Sequence, residues 1–313
     1  MSYPTIDAPY GFKPVNLIGG QVFAGSTRQL PIAYGYSTNI FNGDVVALNR
    51  GQIVRVAVTT SGALNWAGTI TAAAGTSYST GAGAIVGGTN GTVGVFLGCS
   101  YTNPSTNQKI FSQYWPASTL AGDAVAYVSD DPDAVYRAAV VTTQGGVTIG
   151  SVAPALVGQN LTGSDLAGNV RTGNSSNGLL YTAITQTVAG ELTASAYPFR
   201  IMDVVRDTQV ILGTATYSSG GNSTTVVATA NLPFAVPVGA QLAWIAPNGQ
   251  FVDTGSFVTT AITANNTANI VISAAPLTSI TGATTQLVLI QYPEALVKFN
   301  WGAHGYMNSI SNL

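Results

Sequence analysis

The chain has 313 residues but only 10 basic and 12 acidic ones, a formal charge of −2, so 7% of it is charged where an ordinary domain carries roughly 25%. Its few cations form no basic stripe able to release counterions from a phosphate backbone, which excludes nucleic acid as an expected partner. Although 46% of residues are apolar, no apolar run reaches the roughly 18 residues of a membrane-spanning helix; no membrane is expected, and much of the apolar surface should be covered by partner chains.

Residues 1–44 read as an extended N-terminal arm. Pro4, Pro9, Pro14 and Pro31 interrupt it, glycines recur, and no helical or alternating pattern survives more than a few residues. Its content of Tyr10, Phe12, Phe23, Tyr34, Tyr36 and Phe41 is too apolar for a solvated tail, so the arm is expected to order against something. The arm begins without a charged segment followed by an apolar one, and the expectation is synthesis and assembly in a cytosol.

Residues 45–209, resumed at 292–313, form the expected β-rich core. Short runs rich in β-branched residues at 44–48, 52–58, 93–97, 124–128 and 134–141 have the length and composition of strands. Asn49-Arg50-Gly51 is predicted to be a tight hairpin turn, and Ser129-Asp130-Asp131-Pro132-Asp133 a turn with Pro132 and the Asp side chains in suitable places. Residues 142–181 are rich in Gly, Ser and Asn and read as loop, with order returning at 199–207. No helical pattern of 12 or more residues occurs, so helix should be a minor component.

Residues 210–291 hold one charged residue, Asp253, and alternate Thr/Val/Ile runs at 211–217, 224–229, 241–245, 256–263, 268–273 and 286–290 with Gly-, Asn- and Pro-marked turns. That spacing predicts an inserted, small, β-sandwich-like domain, with Ala246-Pro247-Asn248-Gly249 as its clearest hairpin turn. The fold class is therefore all-β: an arm, a barrel-like core and an insert.

Chemistry-bearing residues are few. One histidine, His304, and one cysteine, Cys99, cannot make a zinc site of the usual type or a paired-thiol motif, and no Gly-x-Ser-x-Gly elbow accompanies His304. The glycine-rich stretch 80–88 lacks the Lys-Ser/Thr that phosphate binding requires. Asp130, Asp131 and Asp133 are not spaced as a calcium loop. No cofactor, metal or catalytic residue is assigned, and the chain is not read as an enzyme. A glycan-directed alternative would use Asp130, Asp131, Asp133, Glu191, Asp203, Asp207 or Glu294 as carboxylates, or Trp244 and Phe251 of the insert as stacking faces for a host-surface sugar.

Four stretches carry a resemblance: Ala8-Pro9-Tyr10-Gly11-Phe12-Lys13-Pro14-Val15; Gly43-Asp44-Val45-Val46; Gly94-Val95-Phe96-Leu97-Gly98-Cys99; and Phe111-Ser112-Gln113-Tyr114-Trp115-Pro116. With the block from Asp123 to Ala134 and the run Tyr292 to Asn300, the chain resembles virion structural proteins of tailed phages, in particular those of cyanophages. The resemblance implies a capsid decoration, or cement, protein on the outer capsid surface of a virion. Its implied partners are the major capsid protein and further copies of itself in a homotrimer, its core a β-barrel or tulip-like unit. Residues 210–291 fall between family-like blocks and look inserted. On this reading Tyr10, Phe12, Phe23, Phe41, Phe111, Tyr114 and Trp115 are the partner-contacting residues, with Tyr114 and Trp115 alternatively serving the chain's own core. A tail, baseplate or receptor-binding component is the second expectation.

Overall fold

A computed structural model describes residues 6–17, 21, 23–25, 27–49, 51–56, 69–71, 77–79, 92–142, 146–152, 154–164, 166, 168–180, 199–217, 225–228, 232, 242–245, 249, 251–252, 258–260, 269–273 and 285–300. Among them every regular element is a strand, apart from two single-turn 3-10 helices at Pro154–Leu156 and Arg206–Thr208. The protein is all-β.

The first 44 residues supply β1 (Lys13–Leu17), β2 (Arg28–Pro31) and β3 (Ile40–Phe41). There follow β4 (Val45–Asn49), β5 (Gln52–Arg55), a hairpin of β6 (Thr69–Thr71) and β7 (Ser77–Ser79), then β8 (Thr92–Thr102), β9 (Lys109–Ser112), β10 (Tyr114–Trp115), β11 (Val125–Ser129) and β12 (Ala134–Val141). The next three are β13 (Asn160–Ser164), β14 (Gly178–Leu180) and β15 (Phe199–Val204). Residues 210–291 give β16 (Val210–Tyr217), β17 (Thr225–Ala228), β18 (Ala243–Ile245), β19 (Phe251–Val252), β20 (Asn269–Val271) and β21 (Thr285–Gln291), and β22 (Glu294–Phe299) closes the series.

Two of the sheets curl into rings. In the first, β12, β14, β13, β15 and β22 are neighbours in that order and β22 pairs back onto β12, so the ring closes. All its pairings are antiparallel except β12 with β14. β1 lies alongside the first half of β12, on the edge that β14 takes over at Val140. In the second, the order is β2, β11, β8, β4, β5, and a bridge between Ile32 and Ile53 joins its two ends. β9 extends this sheet beside the far half of β8, and β10 pairs with β3 as a short ribbon. A third, six-stranded antiparallel sheet takes all its strands from residues 210–291. It leaves and rejoins the first ring between β15 and β22, which pair with each other.

The composition explains these choices. β12 reads Ala-Val-Tyr-Arg-Ala-Ala-Val-Val, buried at every position but Arg137, the pattern of a strand covered on both faces. Its neighbours fill the ring with aromatic rings: Phe12 stacks on Phe199 at 4.4 Å between centroids, and Tyr136 meets Phe299 edge-on at 5.3 Å. Val46, Ile53, Phe96, Tyr101 and Trp115 are buried in one continuous apolar cluster that spans both rings and includes Ala243 and Ile290 of the third sheet.

The arm is extended, and most of its described apolar residues find cover within the same chain, β1 on the first ring, β2 and Ile32 in the second, Phe12 and Tyr36 in the shared core, while Val15 and Tyr34 stay exposed. The segment 142–181, read as loop, instead holds β13 and β14, which complete the first ring. Their residues have no strong strand preference, and the ladder hydrogen bonds offered by β12 and β15 decide the matter. His304, Glu191, the stretch 80–88 and the turn residues 246–248 lie outside the described residues, as does most of the run 256–263.

Candidate functional site

The seven residues expected to touch partners part company. Phe12, Phe41 and Trp115 are buried in the chain's own core and are withdrawn from an outer contact surface: a side chain with no exposed area has none to give a partner. Trp115 packs edge-on against Tyr101 at 5.2 Å and its Nε1–H points to Tyr36 O at 3.4 Å. Tyr114 is half-buried and stacked over Phe41 at 5.8 Å. Phe23 is half-buried and Tyr10 lines a cleft. Phe111 alone is fully displayed, 74% exposed on β9. Beside it, Asp123 accepts hydrogen bonds from Thr102 N–H and Oγ1–H and from Lys109 Nζ at 2.9 Å, and these hold its carboxyl far below the usual range.

Three of the stretches that carry the resemblance meet in one knot. Gly11 and Gly43 both sit at positive φ, +85° and +97°, with their backbones so close that a Cβ on Gly11 would stand 2.9 Å from Gly43 Cα and 2.7 Å from Ser175 Cβ. Phe12 N donates to Gly43 O at 3.0 Å, Gly43 N to Phe96 O at 2.8 Å, and Phe96 N to Asp44 O at 2.9 Å. Asp44, wholly buried, anchors the knot. Its Oδ1 accepts from Ser175 Oγ at 2.5 Å and Asn177 Nδ2 at 3.1 Å; its Oδ2 accepts from Phe41 N at 2.9 Å and lies 3.0 Å from Arg55 Nε. Burial pushes the Asp44 carboxyl up, against the pull of Arg55, Ser175 and the Phe41 N–H. The Gly-Asp pair thus joins the two rings, and its role is internal.

Tyr10, Lys13, Arg137 and Glu294 line an open cleft of about 490 Å³ with Ile6, Asp7 and Ala8. Glu294 is buried, 1% exposed, and fully engaged: Tyr10 Oη donates to Oε1, while Arg137 Nε, at 2.8 Å, and Nη2 donate to Oε2. Burial and the Glu294 carboxylate push the Tyr10 phenol up. Lys13 Nζ donates to Asn42 O, Asn42 Oδ1 and, at 3.1 Å, Asn174 Oδ1. Sequence reading passed over Arg137 and Lys13 and took Glu294 only as a spare carboxylate; the available signal was a lone charge inside an apolar strand, in a chain with 22 charges in all.

Two of the other carboxylates have structural partners: Asp130 pairs with Arg28 at 2.8 Å, and Asp131 Oδ1 accepts from Asp133 N at 2.8 Å, closing the expected turn. Among the described residues no group of three or more His, Cys, Asp or Glu side chains is placed to hold a metal. Nor is any described helix long and apolar enough to cross a membrane. Comparison with family models, curated proteins and solved structures gave no match, so the functional reading rests on sequence resemblance and geometry.

Proposed function

We propose that the chain is a cement protein of a tailed-phage head, a subunit that binds the outer capsid surface and clamps neighbouring major capsid proteins, in the trimeric form the resemblance implies. The observation that carries the reading is Phe111, a large aromatic side chain left 74% exposed on β9, which among the described residues pairs only with β8. An aromatic beside unspent backbone groups suits a lattice contact better than a solvated surface. Tyr34 and Leu120 add a second exposed pair on adjoining loops, where Gly35 N donates to Thr119 O at 3.2 Å.

The scarcity of charge supports the same use. A surface of Ser, Thr, Asn and Gly is cheaper to desolvate against a neighbour than one of Lys and Glu. Each anchor need contribute only about 1–3 kcal/mol, because a lattice multiplies weak contacts. A ligand that binds only the intact shell also makes that shell harder to rupture.

The direct test adds purified protein to heads that lack it. Wild-type protein should bind in proportion to the capsid lattice. Phe111→Ser, folded normally by circular dichroism, should lose most of that binding. Undiminished decoration by Phe111→Ser would remove the proposed anchor, and binding to tails alone would replace the head assignment.

A further inference from the structure

The cleft between the arm and the first ring carries a second inference, independent of the cement reading. Arg137 stands at its floor on β12, held along one edge because Nε and Nη2 both donate to Glu294 Oε2. Tyr10 lies close enough to interact with the guanidinium as well as with Glu294, no other described side chain besides these two reaches it, and the side chain is 40% exposed. A guanidinium locked on one edge and still partly exposed is a preorganised fork for a planar carboxylate. Glu294 sets the orientation of that fork and, sharing its charge between Tyr10 and Arg137, repels an incoming anion less than a free carboxylate would.

The rest of the lining narrows the ligand. Lys13 is a second cation whose hydrogen bonds all go to amide oxygens, leaving its charge without a carboxylate in contact. Asp7, exposed on the rim, opposes a dianion such as phosphate. Ile6 and Ala8 offer a short apolar wall. The geometry points to a binding site for a single carboxylate on a short aliphatic stem, held by the Arg137 guanidinium with Lys13 behind it. An acidic side chain of a neighbouring polypeptide and a free short-chain carboxylic acid share that chemistry.

The test is titration of the full-length protein, by calorimetry or amide chemical shift, with propionate, with the capped tripeptide acetyl-Gly-Glu-Gly-amide, and with sulfate. Saturable binding of the tripeptide but not of propionate identifies a polypeptide side chain as the source, and saturable binding of both identifies the free acid as sufficient. Arg137→Lys, which keeps the charge and loses the fork, should weaken either at least about tenfold. Asp7→Asn, at an exposed position, should tighten it about two- to fivefold. Arg137→Gln is informative only if thermal unfolding shows it folded, since it strands Glu294; the other two variants do not depend on it. The site is disproved if neither carboxylate binds saturably, if Arg137→Lys binds as well as wild type, or if sulfate competes as strongly as the carboxylates.

Discussion

Cys99 is the only thiol, and its surroundings keep it inert. Burial in the second ring pushes it up to about 12 from its usual 9.0, and its Sγ–H points to Tyr114 O at 3.4 Å. The folded protein should leave a disulfide reagent at pH ~8 unconsumed while the denaturant-unfolded chain reacts at once; rapid labelling of the native state would contradict this placement. Because the native thiol keeps its proton where the unfolded one loses it, Cys99 takes stability away as pH rises from about 9 towards 12. Lys13 acts with the opposite sign. Burial lowers it to about 8 from 10.5, with Asp44 pulling back, so between those values the unfolded chain holds a proton the native one has shed and stability rises with pH. Lys13→Gln removes that gain while Cys99 and the tyrosines titrate in both proteins. Wild type should therefore become more stable relative to Lys13→Gln from pH ~8 to ~10, and a constant difference would show Lys13 to be solvated. Asp44 carries the largest expectation. Asp44→Ala strands Arg55, Ser175, Asn177 and the Phe41 N–H in the interior, at a cost of about 3–5 kcal/mol in equilibrium unfolding.

At the scale of elements, the strands that could be read in advance are those whose own composition decides them. Runs at 44–48, 93–97, 124–128 and 134–141 correspond to β4, the first half of β8, β11 and β12, each holding two or more Val. β1 was hidden because Pro14 lies inside it, tolerated where the strand is an edge and the register shifts between Pro14 and Asn16. β13 and β14 were hidden for another reason: Asn160-Leu-Thr-Gly-Ser has no strand signal, and only the closed ring gives its backbone partners. Three of the seven candidate contact residues turn inward for a related reason. Phe12, Phe41 and Trp115 advertise apolar surface in sequence just as Phe111 does, but sequence cannot say whether a ring faces the chain's own core or its neighbour's, and only the fold buries the first three and exposes the last. The knot shows that the Gly11-Phe12 and Gly43-Asp44 motifs are needed inside the subunit. Gly43→Ala should destabilise by about 2 kcal/mol or more, since its Cβ would stand 3.0 Å from Gly11 Cα at a φ of +97°. Thermal unfolding unchanged from wild type would mean that the two backbones do not meet as described.

For the whole molecule, two small rings share one apolar core, and a third sheet is carried between adjacent strands of the first ring. An element that departs and returns between paired neighbours can be long without disturbing the ring, because loop closure costs grow only slowly with length. On the cement reading the second ring, with Phe111, faces the capsid and the sheet of residues 210–291 projects from it. The most direct measurement is immunogold electron microscopy of purified particles with an antibody raised against residues 210–291. Dense label over the whole head surface is expected of a cement protein; label confined to the tail tip, with bare heads, would contradict that function.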